Sequence, residues 1–144
     1  VSIGAVLADQ SQIVELSLTE YGRHLGIAFQ LIDDVFDYSS SVEIMGKNIG
    51  DDLAEGKPTL PLIYALERCN SQEQLLIREA IANKDSRHSE QIIECLRSCG
   101  ALALATEKAK STSEKAITAL GPLPDSQYKD ALIKLARFAI DRTY

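Results

Sequence analysis

Three aspartates, Asp33, Asp34 and Asp37, stand in the run Phe29-Gln-Leu-Ile-Asp-Asp-Val-Phe-Asp37, whose other members are almost all apolar. Placed on a helix at about 100° per residue, Gly26, Gln30, Asp33 and Asp37 fall within roughly 60° of one another, with Asp34 on the same flank. Ile27, Ala28, Leu31, Ile32, Val35 and Phe36 cover the rest of the circumference. A helix apolar over most of its surface is expected to be largely buried, so the carboxylates should line an interior cleft rather than a solvated face. Carboxylates held together away from water repel one another, and some would take up protons unless a cation compensates them. Clustered hard oxygens favour Mg²⁺, which keeps several waters and binds carboxylates together with substrate phosphates. The expected chemistry is a magnesium site facing a phosphorylated ligand.

The balance of residues excludes several other classes. With 45% of its residues apolar and 25% charged, the chain suits one globular body with its own core and is not a disordered tail. Its net charge is −6 and its bases are scattered, which leaves no electrostatic footprint for nucleic acid or an anionic membrane surface. No apolar stretch reaches the ~20 residues needed to span a bilayer, and the first residues lack the basic region of a signal peptide. The cytosol is the expected compartment.

Helical periodicity dominates, and no alternating run long enough for a strand is present. Val1 to Ala8 starts apolar without a capping residue and reads as the tail of a helix already under way. A long helix is predicted from Gln12 to Tyr38, with Ser11 as N-cap and Ser39-Ser40-Ser41 ending it. An extended polar loop follows from Ser39 to Pro58. Further helices are predicted at Thr59 to Cys69, Gln72 to Asn83, Ser86 to Ser98 and Ala101 to Leu120. After Gly121-Pro-Leu-Pro124 a last helix from Asp125 to Thr143 is predicted to pack through Ala131, Leu132, Leu135, Phe138 and Ala139.

The polar loop carries Lys47 and Lys57, compact cations on long stems that can reach phosphate oxygens. Asp51 and Asp52 add carboxylates able to support a metal's water shell or to pair with those lysines. Gly50 to Lys57 is not a P-loop, because five residues separate the glycines where four are required and Pro58 stands where Ser or Thr should follow. An EF-hand starting at Asp33 fails at Val35, Tyr38 and Ile44. Cys69, Cys95 and Cys99 are odd in number and lack CxxC spacing, so core packing is expected of them. Cys95 and Cys99, one helical turn apart, leave a reactive pair conceivable. His24 and His88 are expected to be packing or surface residues.

Gly26-Ile-Ala-Phe-Gln-Leu-Ile-Asp-Asp-Val-Phe-Asp37, followed by Gly46-Lys47, Gly50-Asp-Asp52 and Glu55-Gly-Lys-Pro-Thr-Leu-Pro61, resembles the second aspartate-rich motif and succeeding loop of trans-type polyprenyl diphosphate synthases. The likeness continues through Arg87-His88, Ala105 to Ala119 and Leu123-Pro-Asp125, and is nearest to the long-chain bacterial branch. The resemblance implies an all-α bundle around a central cavity, of which residues 1–144 form the C-terminal portion of one catalytic domain. It also implies head-to-tail prenyl transfer between isopentenyl diphosphate and an allylic diphosphate, with Mg²⁺ as cofactor and a homodimer as the assembly. A long polyprenyl chain such as octaprenyl, destined for quinone side chains, is the implied product.

Carried over by that resemblance, Asp33 is the principal magnesium ligand, with Asp37 and Asp34 completing the set. Asp52 supports the metal's waters. Gln30, Lys47 and Lys57 contact the allylic diphosphate, and Phe29 shapes the cavity wall. The family's first aspartate-rich motif, its basic residues for isopentenyl diphosphate and a Lys-Thr pair would all precede Val1. The residues from Val1 onward are therefore expected to be inactive alone and to expose a large apolar surface. Two alternatives from other classes are a noncatalytic partner subunit and a terpene cyclase-like enzyme. The intact acidic motif disfavours the first, and its aspartates disfavour the second.

Overall fold

The computed structural model describes residues 2–39 and 51–141. Among them are eight helices and no strand: α1 (Ser2–Leu7), α2 (Gln12–Ser39), α3 (Asp51–Glu55), α4 (Leu60–Arg68), α5 (Ser71–Asn83), α6 (Ser89–Ser98), α7 (Ala101–Ala119) and α8 (Gln127–Ile140). The expected all-α class is found. The chain divides into two compact units, residues 31–107 and residues 1–30 with 108–144.

The unit of residues 31–107 is built on Tyr38, Leu53, Leu62, Ala65, Ile77, Ile92, Leu96 and Ala101, packed into one core. The helix starts follow local chemistry. The Asn70 side chain accepts from the Gln72 and Glu73 backbone N–H groups, each at 3.0 Å. The Glu73 carboxylate in turn accepts from the Asn70 N–H at 3.0 Å, completing a capping box that starts α5 at Ser71. Helix α6 begins at Ser89, three residues later than predicted. The Asp85 carboxylate accepts from the Arg87 backbone N–H at 2.9 Å and from its guanidinium. That local turn competes with helix for residues 85–88.

Inside the stretch predicted to be loop lies the five-residue helix α3. Its ending explains its presence. The Gly56 N–H donates to the Leu53 carbonyl at 3.0 Å and the Lys57 N–H to the Asp52 carbonyl at 2.9 Å, the two bonds of a Schellman turn. Gly56 supplies the left-handed residue that turn needs, at φ 72°. Leu53, fully buried, fastens the short helix to the core.

The other unit packs α8 and the end of α7 against the first part of α2. Tyr21, Ala116, Leu120 and Ala136 form its core, with Leu18, Leu25, Leu132 and Ile133 against them. The buried polar groups are satisfied across helices: Tyr21 Oη donates to the Leu132 carbonyl at 2.8 Å and Ser113 Oγ to the Ala136 carbonyl at 2.7 Å. Helix α8 therefore packs through Leu132, Ile133, Ala136 and Ala139. The expected contacts at Ala131, Leu135 and Phe138 are corrected: Ala131 is exposed, and Leu135 and Phe138 are 48% and 63% exposed. The helix carries two apolar stripes, and the one with the small residues approaches α7 because alanines let the backbones come close enough for the serine to bond across.

Candidate functional site

The last turns of α2 bury Ile32, Val35 and Tyr38. Those three lie on one side of the helix, so Asp33, Asp34 and Asp37 emerge on the other and are half-buried. Gln30, one turn earlier, is exposed. The expectation of a helix covered around most of its circumference is corrected here: Ile27 is 42% and Phe29 44% exposed. Ile3, Leu7, Ile13 and Leu16 are likewise exposed large apolar side chains.

Asp37 connects the acidic flank to the next helix. Its Oδ2 accepts the backbone N–H of Asp52 at 3.2 Å. Asp52 lies in the first turn of α3, where backbone N–H groups lack partners within the helix and a carboxylate is a natural acceptor. The Schellman turn then brings Lys57 back over Asp52, with Nζ 3.2 Å from Oδ1. Lys57 also pairs with Glu55. Contact with Glu55 first, and Asp52 second, raises the Lys57 pKa above its ordinary value, so the ammonium is held charged. Glu55 is correspondingly pushed down by Lys57. Lys47 lies outside the described residues.

Tyr38 forms the floor of this arrangement, and sequence reasoning missed it. It is 1% exposed, and Thr59 Oγ1 donates to its hydroxyl at a long 3.4 Å. Burial raises its pKa well above the usual phenol value, and the negative charges of Asp37, Asp52 and Asp34 push it further. Three carboxylates therefore bear on one buried hydroxyl. The available signal was the spacing Ile32, Val35, Tyr38, which continues the buried stripe to the residue beside Asp37.

The donor set can be weighed against the expected cation. Asp33, Asp34, Asp37 and Asp52 offer hard carboxylate oxygens and no soft ligand. Among the described residues, no three His, Cys, Asp or Glu side chains are gathered into a closed cluster. A cation that keeps its waters and shares oxygens with a phosphorylated substrate needs only one or two protein carboxylates, so the residues fit Mg²⁺ as an open site and not as an all-protein cage.

Fold and site together define an all-helical protein whose acidic flank is buttressed by a lysine-bearing turn. The family model of polyprenyl synthetases matches residues 1–99. The octaprenyl diphosphate synthase of Haemophilus influenzae is 46% identical over 141 residues, covering 97% of this chain and 43% of that relative's length. Among solved structures, the polyprenyl synthase of Caulobacter crescentus complexed with calcium and isoprenyl diphosphate superposes with a TM-score of 0.88 at 37% identity. That match covers 98% of this chain and 44% of its own. The geranylgeranyl pyrophosphate synthase of Corynebacterium glutamicum, complexed with isoprenyl diphosphate and magnesium, gives a TM-score of 0.84 at 30% identity. It is matched over 97% of this chain and 41% of its own. This chain belongs to the polyprenyl synthetase family, and it spans less than half the length of these relatives.

Proposed function

We propose that the protein containing this chain is a prenyltransferase that condenses isopentenyl diphosphate with an allylic diphosphate. Its product in this reading is a long-chain all-trans polyprenyl diphosphate of octaprenyl length. The carrying observation is the hydrogen bond from Asp52 to Asp37, which joins the acidic flank of α2 to the lysine-bearing turn. Residues 1–144 are the C-terminal portion of the catalytic domain. The octaprenyl assignment is supported by the 46% identity to the Haemophilus influenzae synthase.

In this reading Asp33 would be the principal ligand of Mg²⁺, Asp37 and Asp34 would support it directly or through its waters, and Asp52 would support those waters. Bound Mg²⁺ supplies positive charge that offsets the negative charge growing on the departing diphosphate. Lys57, kept cationic by its acidic neighbours, adds charge from the side. Exposed ion pairs such as Lys57 with Glu55 hold weakly, so the ammonium can exchange that carboxylate for a diphosphate oxygen. Lys47 and Gln30 contact the same diphosphate. Phe29 lines the apolar wall that keeps water from the reacting allylic group. The enzyme acts as a cytosolic homodimer, and its product supplies quinone side chains. Among the described residues no helix is long and apolar enough to cross a membrane.

The test is incorporation of labelled isopentenyl diphosphate into a hydrophobic product, with allylic primers, in the presence and absence of Mg²⁺. Metal-dependent formation of linear long-chain polyprenyl diphosphate is expected. Cyclic hydrocarbon products, or no incorporation with any primer by the whole folded protein that contains this chain, would overturn the reading.

A further inference from the structure

Two helix ends meet at Gly56, and each brings a lysine. The last turn of α5 abuts the turn that ends α3, since the Ile81 carbonyl oxygen lies 2.9 Å from the position a Cβ would take at Gly56. Lys84 follows as the C-cap of α5, with its N–H donating to the Ile81 carbonyl at 3.3 Å. Its side chain runs across the α3 turn, with Cγ 3.0 Å and Cε 3.5 Å from that same point at Gly56. The ammonium is one bond beyond Cε, about 1.5 Å, which places it within about 5 Å of the point.

Gly56 stands between Glu55 and Lys57, so a second cation lies beside the ion pair that those two residues make. The charges respond accordingly. Hydrogen bonding to Lys57 and its charge lower the Glu55 pKa, and the charge of Lys84 lowers it further. Lys84 holds a left-handed backbone, at φ 53° and ψ 47°. Glycine is the usual residue at such a helix end, and a side chain there is strained. A lysine at this position therefore sets a charge on the turn against its own backbone preference, and local strain of this kind points to a role.

We infer that Lys84 is a positioning residue for diphosphate binding, which holds Glu55 when Lys57 leaves that carboxylate for a diphosphate oxygen. The inference rests on the prenyltransferase reading, in which Lys57 makes that exchange. Without a second cation, Glu55 would be left unpaired beside an incoming anion. Its charge would draw Lys57 back and repel the diphosphate. With Lys84 lying across Gly56, the carboxylate changes partner and the turn keeps its balance of charge. Glu55, Lys57 and Lys84 are all exposed, so the change of partner costs little. Asp52, 3.2 Å from Lys57 Nζ, stays beside the lysine at the site.

The experiment is steady-state kinetics of the whole protein that contains this chain, with the allylic diphosphate varied at saturating isopentenyl diphosphate and Mg²⁺. Wild type is compared with Lys84→Met, Lys84→Arg, Glu55→Gln and the Lys84→Met, Glu55→Gln double variant. Methionine keeps an apolar stem over Gly56 and removes the charge. Lys84→Met is expected to raise KM for the allylic diphosphate about two- to fivefold with kcat unchanged, the range that exposed ion pairs span. Lys84→Arg should keep the wild-type KM. In the Glu55→Gln background Lys84→Met should change nothing, because no carboxylate is left to hold. An unchanged KM in Lys84→Met would overturn the inference. So would a fall in kcat at unchanged KM, or a rise in KM that persists undiminished in the Glu55→Gln background. Absence of turnover in wild type would overturn the prenyltransferase reading and this inference with it, whereas the other adverse outcomes strike this inference alone.

Discussion

The backbone N–H of Asp52 donates to the carboxylate of Asp37, 15 residues earlier in the chain, at 3.2 Å. This bond fixes one acid of the α2 flank in orientation, and it places Asp52 and Lys57 beside that acid. If the flank holds the cation, removing its acids should cost turnover far more than stability, because the side chains are only half-buried. Asp33→Ala and Asp37→Ala are each expected to lower prenyl transfer by about 10²-fold or more. The far-UV circular dichroism of both variants should remain helical. Near-normal turnover in either variant would remove the proposed roles.

The turn that carries Lys57 depends on Gly56 in two ways. Its φ of 72° is costly for a side chain, and an added Cβ would lie 2.9 Å from the Ile81 carbonyl oxygen of α5. A backbone atom cannot swing aside. Gly56→Ala is therefore expected to destabilise the fold by roughly 2 kcal/mol or more. An unchanged urea midpoint would show that the turn relaxes freely.

Sequence reasoning recovered the parts governed by local periodicity. The span Gln12 to Tyr38 was expected for the long helix, and the structure gives Gln12–Ser39. Its acidic flank was legible for the same reason, since spacings of three and four residues define a helical face. Features that depend on remote contacts were not legible. Helix α3 has only five residues and exists because Leu53 finds the core and Gly56 turns the chain. The bond from Asp52 to Asp37 crosses the loop between two elements, and no periodicity encodes it. Helix α8 was assigned Leu135 and Phe138 as packing residues because both of its stripes are apolar. The choice was made by Ser113 on α7, which needs the Ala136 carbonyl.

Lys84 offers a test in the stabilising direction. It ends α5 in the left-handed conformation at φ 53°, with its N–H donating to the Ile81 carbonyl and that of Asp85 to the Ala80 carbonyl. Glycine adopts this conformation without the penalty a side chain incurs, though it adds entropy to the unfolded chain. The balance favours Lys84→Gly by several tenths to about 1 kcal/mol. The check is a rise in the urea midpoint with an unchanged slope; a fall would mean that the lysine stem contributes more than its backbone costs.

The turn before α6 should report on acid. Hydrogen bonds from the Arg87 side chain, then its backbone N–H, lower the Asp85 pKa from 3.8 to about 2. A carboxyl group whose folded value is depressed stabilises the fold above its unfolded pKa, and that contribution fades as pH falls through the folded value. The window here runs from about pH 4 down to about pH 2. Arg87 is 83% exposed, so salt should weaken the effect. NMR titration should find the Asp85 carboxyl near pH 2 and move it back toward 3.8 in Arg87→Ala. An Asp85 midpoint that is the same in both proteins would mean that the guanidinium does not hold the carboxylate in solution. The late start of α6 would then need another cause than this turn.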